Sequence, residues 1–366
     1  MIDHDCAHLR LMGLTAPLLQ QANELTRHLT THSTNGPGDA LRLMRVTEIH
    51  RDALCIDDGQ NISRATLAPP LARQLADTQT LLTVGDWVMA ASDAEGRLQL
   101  RHRLEPMNQL VRRDAHGLRH ALVSNVDCAL LAMGLDKDFS PRRIERFIAL
   151  VHGCGARPVV VLTKADTVAD SRSLYSYQRI IRERVGPVLP ILCVDARDAD
   201  TADRLKPFAQ AGQTLVVLGS SGAGKSTLTN TLLGRVVQDT GAVREHDSRG
   251  KHTTRSRSLF RLPGGACIID TPGVRALRAD GDERAIAASF SEIEQLASGC
   301  RFRNCRHQDE PGCQVRAEVD DDRLRNYQKL LREVRRDDIG FLERRAQLGV
   351  WKARSRAQRR LQKERE

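Results

Sequence analysis

"VVVLTKAD" (residues 159–166) and "LVVLGSSGAGKSTLTN" (residues 215–230) decide the fold, because of the order in which they occur. The first is an apolar, β-rich run ending at Thr163, with Lys164, Ala165 and Asp166 directly after it. A carboxylate at such a strand end accepts hydrogen bonds from the N1–H and N2–H2 groups of guanine, a donor pair that adenine does not offer. The stem of Lys164 can cover a purine face. The second stretch satisfies G-x-x-x-x-G-K-[ST] between a strand and a helix, the setting of a phosphate-binding loop. Gly219, Gly222 and Gly224 allow the loop, which also holds Ser220, Ser221 and Ala223, to turn its N–H groups toward phosphate oxygens. The helix that follows, through Thr227, adds its positive end. Lys225 is expected to neutralise β- and γ-phosphates, and the Ser226 hydroxyl to ligate Mg2+. In a guanine-nucleotide switch the base-reading stretch follows the phosphate loop, whereas here it precedes it.

Two further segments complete the set. "IIDTPGV" (268–274) follows a strand, where Asp270 can hold Mg2+ through water and the Gly273 N–H can meet a γ-phosphate. "RGKHTTRS" (249–256) lies between loop and sensor, with Thr253 and Thr254 both able to reach the metal. If strand 214–218 is placed first, the order becomes loop, switch, sensor, then strands 125–133, 158–162 with TKAD, and 190–194. That is the order of a GTPase cut after the sensor and rejoined ahead of the loop. A folded domain tolerates this when its original termini lie close together. The pattern predicts a circularly permuted α/β P-loop domain with a doubly wound parallel sheet over 111–285. "LPGG" (262–265) predicts a hairpin between strands 258–262 and 266–270. Helix 141–152 is marked by Ser140 as a cap, Pro141 in its first position, and a stripe of Ile144, Phe147, Ile148 and Val151.

Short alternating runs over 38–110, including "TVGDWVMA" (83–90), predict a small closed barrel of the oligonucleotide-binding (OB) type. Its only aromatic is Trp87, so base stacking is poorly supplied and any RNA contact should rest on shape and backbone. Residues 1–37 read as a loosely ordered N-terminal extension with a short helix near "APLLQQANEL". Beyond the G domain, 286–366 carries Cys300-x4-Cys305-x-His307-x5-Cys313. Three thiolates and an imidazole make a closed four-ligand set, the composition of one structural Zn2+ site in a mainly helical domain. The stretch 332–366 is a basic helical tail, and Arg244–Arg261 is a second basic segment.

The chain has 366 residues, 40% hydrophobic and 28% charged, which suits two or three globular domains. No apolar run approaches the ~18–20 residues that span a bilayer, and acids precede the first bases. No membrane association and a cytoplasmic location are expected. The nine cysteines are mostly scattered, as in a reducing compartment; Cys55, Cys128, Cys154, Cys193 and Cys267 read as small core residues. Net charge is +10, and the basic excess lies beyond residue 110, which favours a polyanionic partner such as nucleic acid.

Together, "VGDWV", the permuted TKAD, GSSGAGKS, GKHTT and DTPG motifs and C-x4-C-x-H-x5-C resemble the RsgA (YjeQ) family of small-ribosomal-subunit-dependent GTPases, over about residues 38–335. The resemblance implies a cytoplasmic, monomeric GTPase that binds GTP and GDP with Mg2+. It also implies binding to the 30S subunit late in assembly, contact with 16S rRNA, and stimulation by the particle. Two positions depart from the usual guanine reader: Thr163 stands where Asn is more common, and "CVDARD" (193–198) is a poor version of the Ser-Ala segment beside the base. Val274 follows DTPG where many GTPases keep a water-orienting Gln, so the free protein should hydrolyse GTP slowly. The resemblance points to His252 as the catalytic water-orienting group beside Lys225. Because the sensor segment is expected to run directly into the metal domain instead of returning to the sheet, loss of γ-phosphate at Gly273 is expected to alter the grip of 286–366 on the ribosome. The competing classes are an ATP-using P-loop enzyme and a non-enzymatic rRNA-binding zinc protein that only holds nucleotide.

Overall fold

The computed structural model describes residues 6–32, 41–50, 53–78, 80–113, 119–237, 257–271, 278–279 and 283–338. Five strands close a barrel: β1 (Arg42–Ile49), β2 (Leu54–Asp57), β3 (Ile62–Leu67), β4 (Trp87–Ser92) and β5 (Leu98–Arg103). They follow the order β1-β2-β3-β5-β4 and return to β1, with β3 and β5 parallel and the other pairs antiparallel. Alternation places Met44, Val46, Ile56, Val88, Ala90 and Leu100 inside. Helix α3 (Pro69–Asp77) bridges β3 and β4 and seals the barrel with Leu71. This is the expected OB-type barrel. Trp87 is fully buried beneath the guanidinium of Arg45, so it offers no stacking platform.

The chain then makes a strand pair that no clear alternation in the sequence marks, β6 (Gln109–Arg113) and β7 (Arg119–Ser124). Beyond it lies the nucleotide-type sheet: β8 (Cys128–Gly134), β9 (Arg157–Thr163), β10 (Ile191–Cys193), β11 (Thr214–Leu218), β12 (Ser258–Arg261) and β13 (Cys267–Asp270). Their spatial order is β10-β9-β8-β11-β13-β12, parallel except for the β12–β13 hairpin. Each predicted strand forms, and Gly265 turns the hairpin at a φ of 80°. Strands β8, β11 and β13 are buried along their whole length because both faces are covered. Alternate residues feed opposite cores. Ala129, Leu131 and Met133 meet α4 (Pro141–Cys154) and α5 (Ser171–Val185). Leu130, Leu215 and Val217 meet α6 (Asp200–Leu205) and α7 (Lys225–Leu233).

Three expectations need correction. The N-terminal segment is not loose over its described part. Helices α1 (Cys6–Leu11) and α2 (Ala16–His32) bury Leu9, Met12, Leu14, Leu18 and Ala22 in the core shared by barrel and sheet. The Ser140 side chain makes no capping bond; its carbonyl accepts from the N–H groups of Arg143 and Ile144 instead. Nor does the sensor run straight into the C-terminal helices. Strand β14 (Arg278–Ala279) first pairs with β6, and only then come α8 (Glu283–Ser289), α9 (Ser291–Ala297), α10 (Gln314–Glu318) and α11 (Asp321–Asp338).

The helical region packs its own core of Ile286, Phe290, Ile293, Val315, Leu330 and Val334. It is joined to the sheet domain by a buried acid. Glu145 of α4 accepts from Arg184 (3.1 Å), Arg323 (2.9 Å) and Asn326. Among the described residues, no helix is long and apolar enough to cross a membrane. Of the basic tail, only residues through 338 are described, within α11.

Candidate nucleotide site and metal cluster

The parallel sheet directs its strand ends, β9 and β11 among them, to one edge, where ligands of such sheets collect. The loop after β11 follows its predicted path: Gly222 and Gly224 adopt φ values of 81° and 80°. A Cβ on Gly219 would lie 2.4 Å from the Ala132 carbonyl oxygen, so the close approach of the loop to β8 requires glycine there. Ser221 and Gly222 are exposed, Ser226 and Thr227 half-buried. Lys225 opens α7 from a buried position and donates to the Ser220 carbonyl at 2.7 Å. Burial lowers its pKa, while Asp270 and Asp138 act in the opposite sense.

Asp270, at the end of β13, is fully buried, and among the described residues neither of its carboxylate oxygens has a hydrogen-bond partner. Burial raises its pKa to about 6, against the pull of Lys225. A buried, unpartnered carboxylate facing a lysine at the mouth of a phosphate-type loop fits a cation. Next to it, the Thr271 hydroxyl donates to the Val217 carbonyl at 2.7 Å and ties β13 to β11.

The TKAD stretch meets this loop. The hydroxyl of Thr163, itself buried, donates to the Ala223 carbonyl at 2.8 Å. Threonine thereby braces the two stretches that sequence order separates, from the position where Asn is the commoner residue. Lys164 takes a left-handed φ of 61° and opens the turn Ala165–Thr167, which carries Asp166 at its centre.

Two contacts here were not anticipated from the sequence. The segment after β8 supplies Asp136 and Asp138: Asp136 pairs with Lys164 at 2.5 Å, and Asp138 accepts from Ser220. Burial works to raise the Asp136 pKa, but the Lys164 hydrogen bond and the Asp138 N–H outweigh it. The second concerns "CVDARD". Val194 accepts from the Ala165 N–H at 3.1 Å, and Arg197 reaches Asp166 at 2.5 Å. The signal was the Asp–Ala–Arg–Asp charge alternation, which without the fold has no address. His252, Thr253, Thr254, Gly273 and Val274 lie outside the described residues, so the structure describes neither the switch nor the γ-phosphate sensor.

In the C-terminal region Cys300, Cys305, His307 and Cys313 bring their donor atoms within 4.8 Å of one another. The Cys313 sulfur lies 3.4 Å from His307 Nδ1, and the Cys300 and Cys313 sulfurs are 3.9 Å apart. Sulfurs around a tetrahedral ion with 2.3 Å bonds would be about 3.8 Å apart, so the donor set fits Zn2+. Elsewhere the thiols behave as core groups: Cys128, Cys154, Cys193 and Cys267 are buried, and burial pushes Cys128 and Cys193 up to about 11. Cys55 is half-buried.

A family model described as RsgA GTPase matches residues 103–280. The small ribosomal subunit biogenesis GTPase RsgA of Xanthomonas axonopodis pv. citri (strain 306) is 44% identical over 299 residues, which is 79% of this chain and 80% of that protein. The protein of the same description from Xanthomonas euvesicatoria pv. vesicatoria (strain 85-10) matches with the same identity and coverage. Among solved structures, YjeQ from Thermotoga maritima aligns with a TM-score of 0.59 at 23% identity, covering 81% of this chain and 99% of its own. YloQ, described as a circularly permuted GTPase, aligns with a TM-score of 0.57 at 21% identity, covering 83% and 98%.

Proposed function

The chain belongs to the RsgA family of GTPases, and on that premise we propose that it hydrolyses GTP in the biogenesis of the small ribosomal subunit. The observation that carries the nucleotide half of the proposal is the Thr163–Ala223 bond, which joins a guanine-type motif to a phosphate-type loop. The partner is proposed from the description of the relatives as small ribosomal subunit biogenesis GTPases. Contact with 16S rRNA, supported by the basic excess beyond residue 110, belongs to the same proposal, as do a monomeric state and a cytoplasmic location.

The residues divide the work as follows. Asp166 reads the purine edge and Lys164 covers its face. Residues 219–224 turn backbone N–H groups toward the phosphates, and Lys225 supplies a positive charge whose buried setting strengthens it. Asp270 and Ser226, with Thr253 or Thr254, would hold Mg2+. When bound, that ion would neutralise charge on the β- and γ-phosphate oxygens. Val274 is apolar, so orientation of water falls to His252 in the proposed scheme. Cys300, Cys305, His307 and Cys313 would hold one structural Zn2+, and their closed set leaves no open position for chemistry.

The test is GTP hydrolysis with purified small subunits across a salt series. If phosphate contacts dominate the partner, stimulation falls by about tenfold or more between 50 and 200 mM salt. A stimulation independent of salt, or an absence of stimulation, would contradict the proposed partner.

A further inference from the structure

Asp166 can read a base only if its carboxylate is free to accept. In this structure one of its two oxygens is engaged: Arg197 Nη2 donates to Asp166 Oδ2 at 2.5 Å. The guanidinium is also held from behind. Its Nε lies 3.3 Å from Asp195 Oδ1, which accepts the Arg197 backbone N–H at 2.9 Å. The whole segment is fixed beside the TKAD turn by the Val194–Ala165 backbone bond. The Arg197 side chain is 68% exposed, so its fork can leave Asp166 without disturbing the core, whereas the Asp166 side chain is 30% exposed.

We propose that Arg197 competes with the incoming base for Asp166, so that only a purine edge with two adjacent donors displaces it. Guanine presents N1–H and N2–H2 side by side and replaces the guanidinium donor with two of its own. Adenine turns a lone pair on N1 toward the carboxylate, gains nothing by displacing the guanidinium, and leaves the pair closed. Arg197 thus moderates guanine-nucleotide affinity without touching the phosphates. This inference rests on the proposed reading of Asp166 as the base-recognising residue.

The test is calorimetric titration of the full-length protein and of its Arg197→Ala and Arg197→Lys variants with GDP and with ADP. The pair is exposed, so Arg197→Ala should bind GDP about two- to fivefold more tightly and ADP as the wild type does. Arg197→Lys, which keeps the charge but loses the fork that spans two carboxylates, should fall between. GDP affinity unchanged or weakened in Arg197→Ala, while the wild type still prefers GDP to ADP, would overturn the competition and leave the guanine reading standing. A wild type that binds GDP and ADP alike would overturn the guanine reading itself, and this inference with it.

Discussion

Replacing Asp270 with Asn should make the nucleotide-free protein more stable near neutral pH while abolishing Mg2+-dependent GTP hydrolysis. The physical basis is a buried carboxylate with no hydrogen-bond partner among the described residues and a pKa raised to about 6. A folded-state pKa above the unfolded value means that the folded state holds this proton more tightly. Stability from the group is therefore present below about pH 4 and lost as pH rises through about 6. Above that range the charged side chain costs about 2–3 kcal/mol, at roughly 1.4 kcal/mol per pKa unit. Asparagine keeps the shape without the charge, so Asp270→Asn should recover about 2 kcal/mol at pH 7.5 and almost none at pH 4. Thermal melts at the two pH values measure it. Equal gains at both would show that the charge is not the cause. A gain confined to pH 7.5 would show that the protein keeps a destabilising charge at a functional position, a recognised trade-off.

Loss of Arg45 should have the largest effect of the opposite sign. This fully buried side chain donates to the carbonyls of Met12, Gly85 (3.2 Å) and Asn125 (3.1 Å) and to the Thr214 hydroxyl (2.8 Å). It therefore ties the turn after α1, the barrel and the first residue of the strand leading into the phosphate loop. Burial lowers its pKa, while Cys267, Asp127 and Asp86 act to raise it. Arg45→Leu would take a donor from four buried acceptors, of which the Gly85 carbonyl keeps another in Asn125 Nδ2 at 2.9 Å. Each buried acceptor that loses its donor costs about 1–3 kcal/mol, which puts the loss at about 3–5 kcal/mol. Denaturant unfolding should show a loss of that size. A loss under about 1 kcal/mol would mean that water replaces the guanidinium and that the junction does not depend on it.

Arg45 also illustrates what sequence does and does not disclose. Strands β8, β9, β11 and β13 were legible as apolar runs. The phosphate loop was legible because glycine, lysine and serine spacing reflects local backbone demands. The permutation followed from motif order, and the metal cluster from ligand types at short spacing. What escaped depends on residues far apart in the chain. Nothing local marks Arg45 as the hub of three segments. The polar sequence of 1–37 concealed the stripe of Leu9, Met12, Leu14 and Leu18 that joins a core formed by later segments, Leu43, Val84 and Trp87 among them. Strands β6 and β14 pair across the whole nucleotide domain, and β14 has two residues, too few for any periodicity. The Thr163 brace was missed for a different reason: a hydroxyl can substitute for an amide only if the acceptor lies at the right distance, which is a fact of the fold.

The central claim is that stretches encoded in reverse order form one pocket, with Asp166 reading guanine at one end and 219–226 holding phosphates at the other. Its most direct test is the base preference of Asp166→Asn, measured by titration with GDP and with xanthosine diphosphate. Xanthine carries an oxygen where guanine carries N2–H2, so an amide can donate where the carboxylate accepted. The account predicts that the wild type prefers GDP and that the variant prefers xanthosine diphosphate. If both proteins bind the two nucleotides in the same ratio, Asp166 does not read the base and the pocket is not the one described.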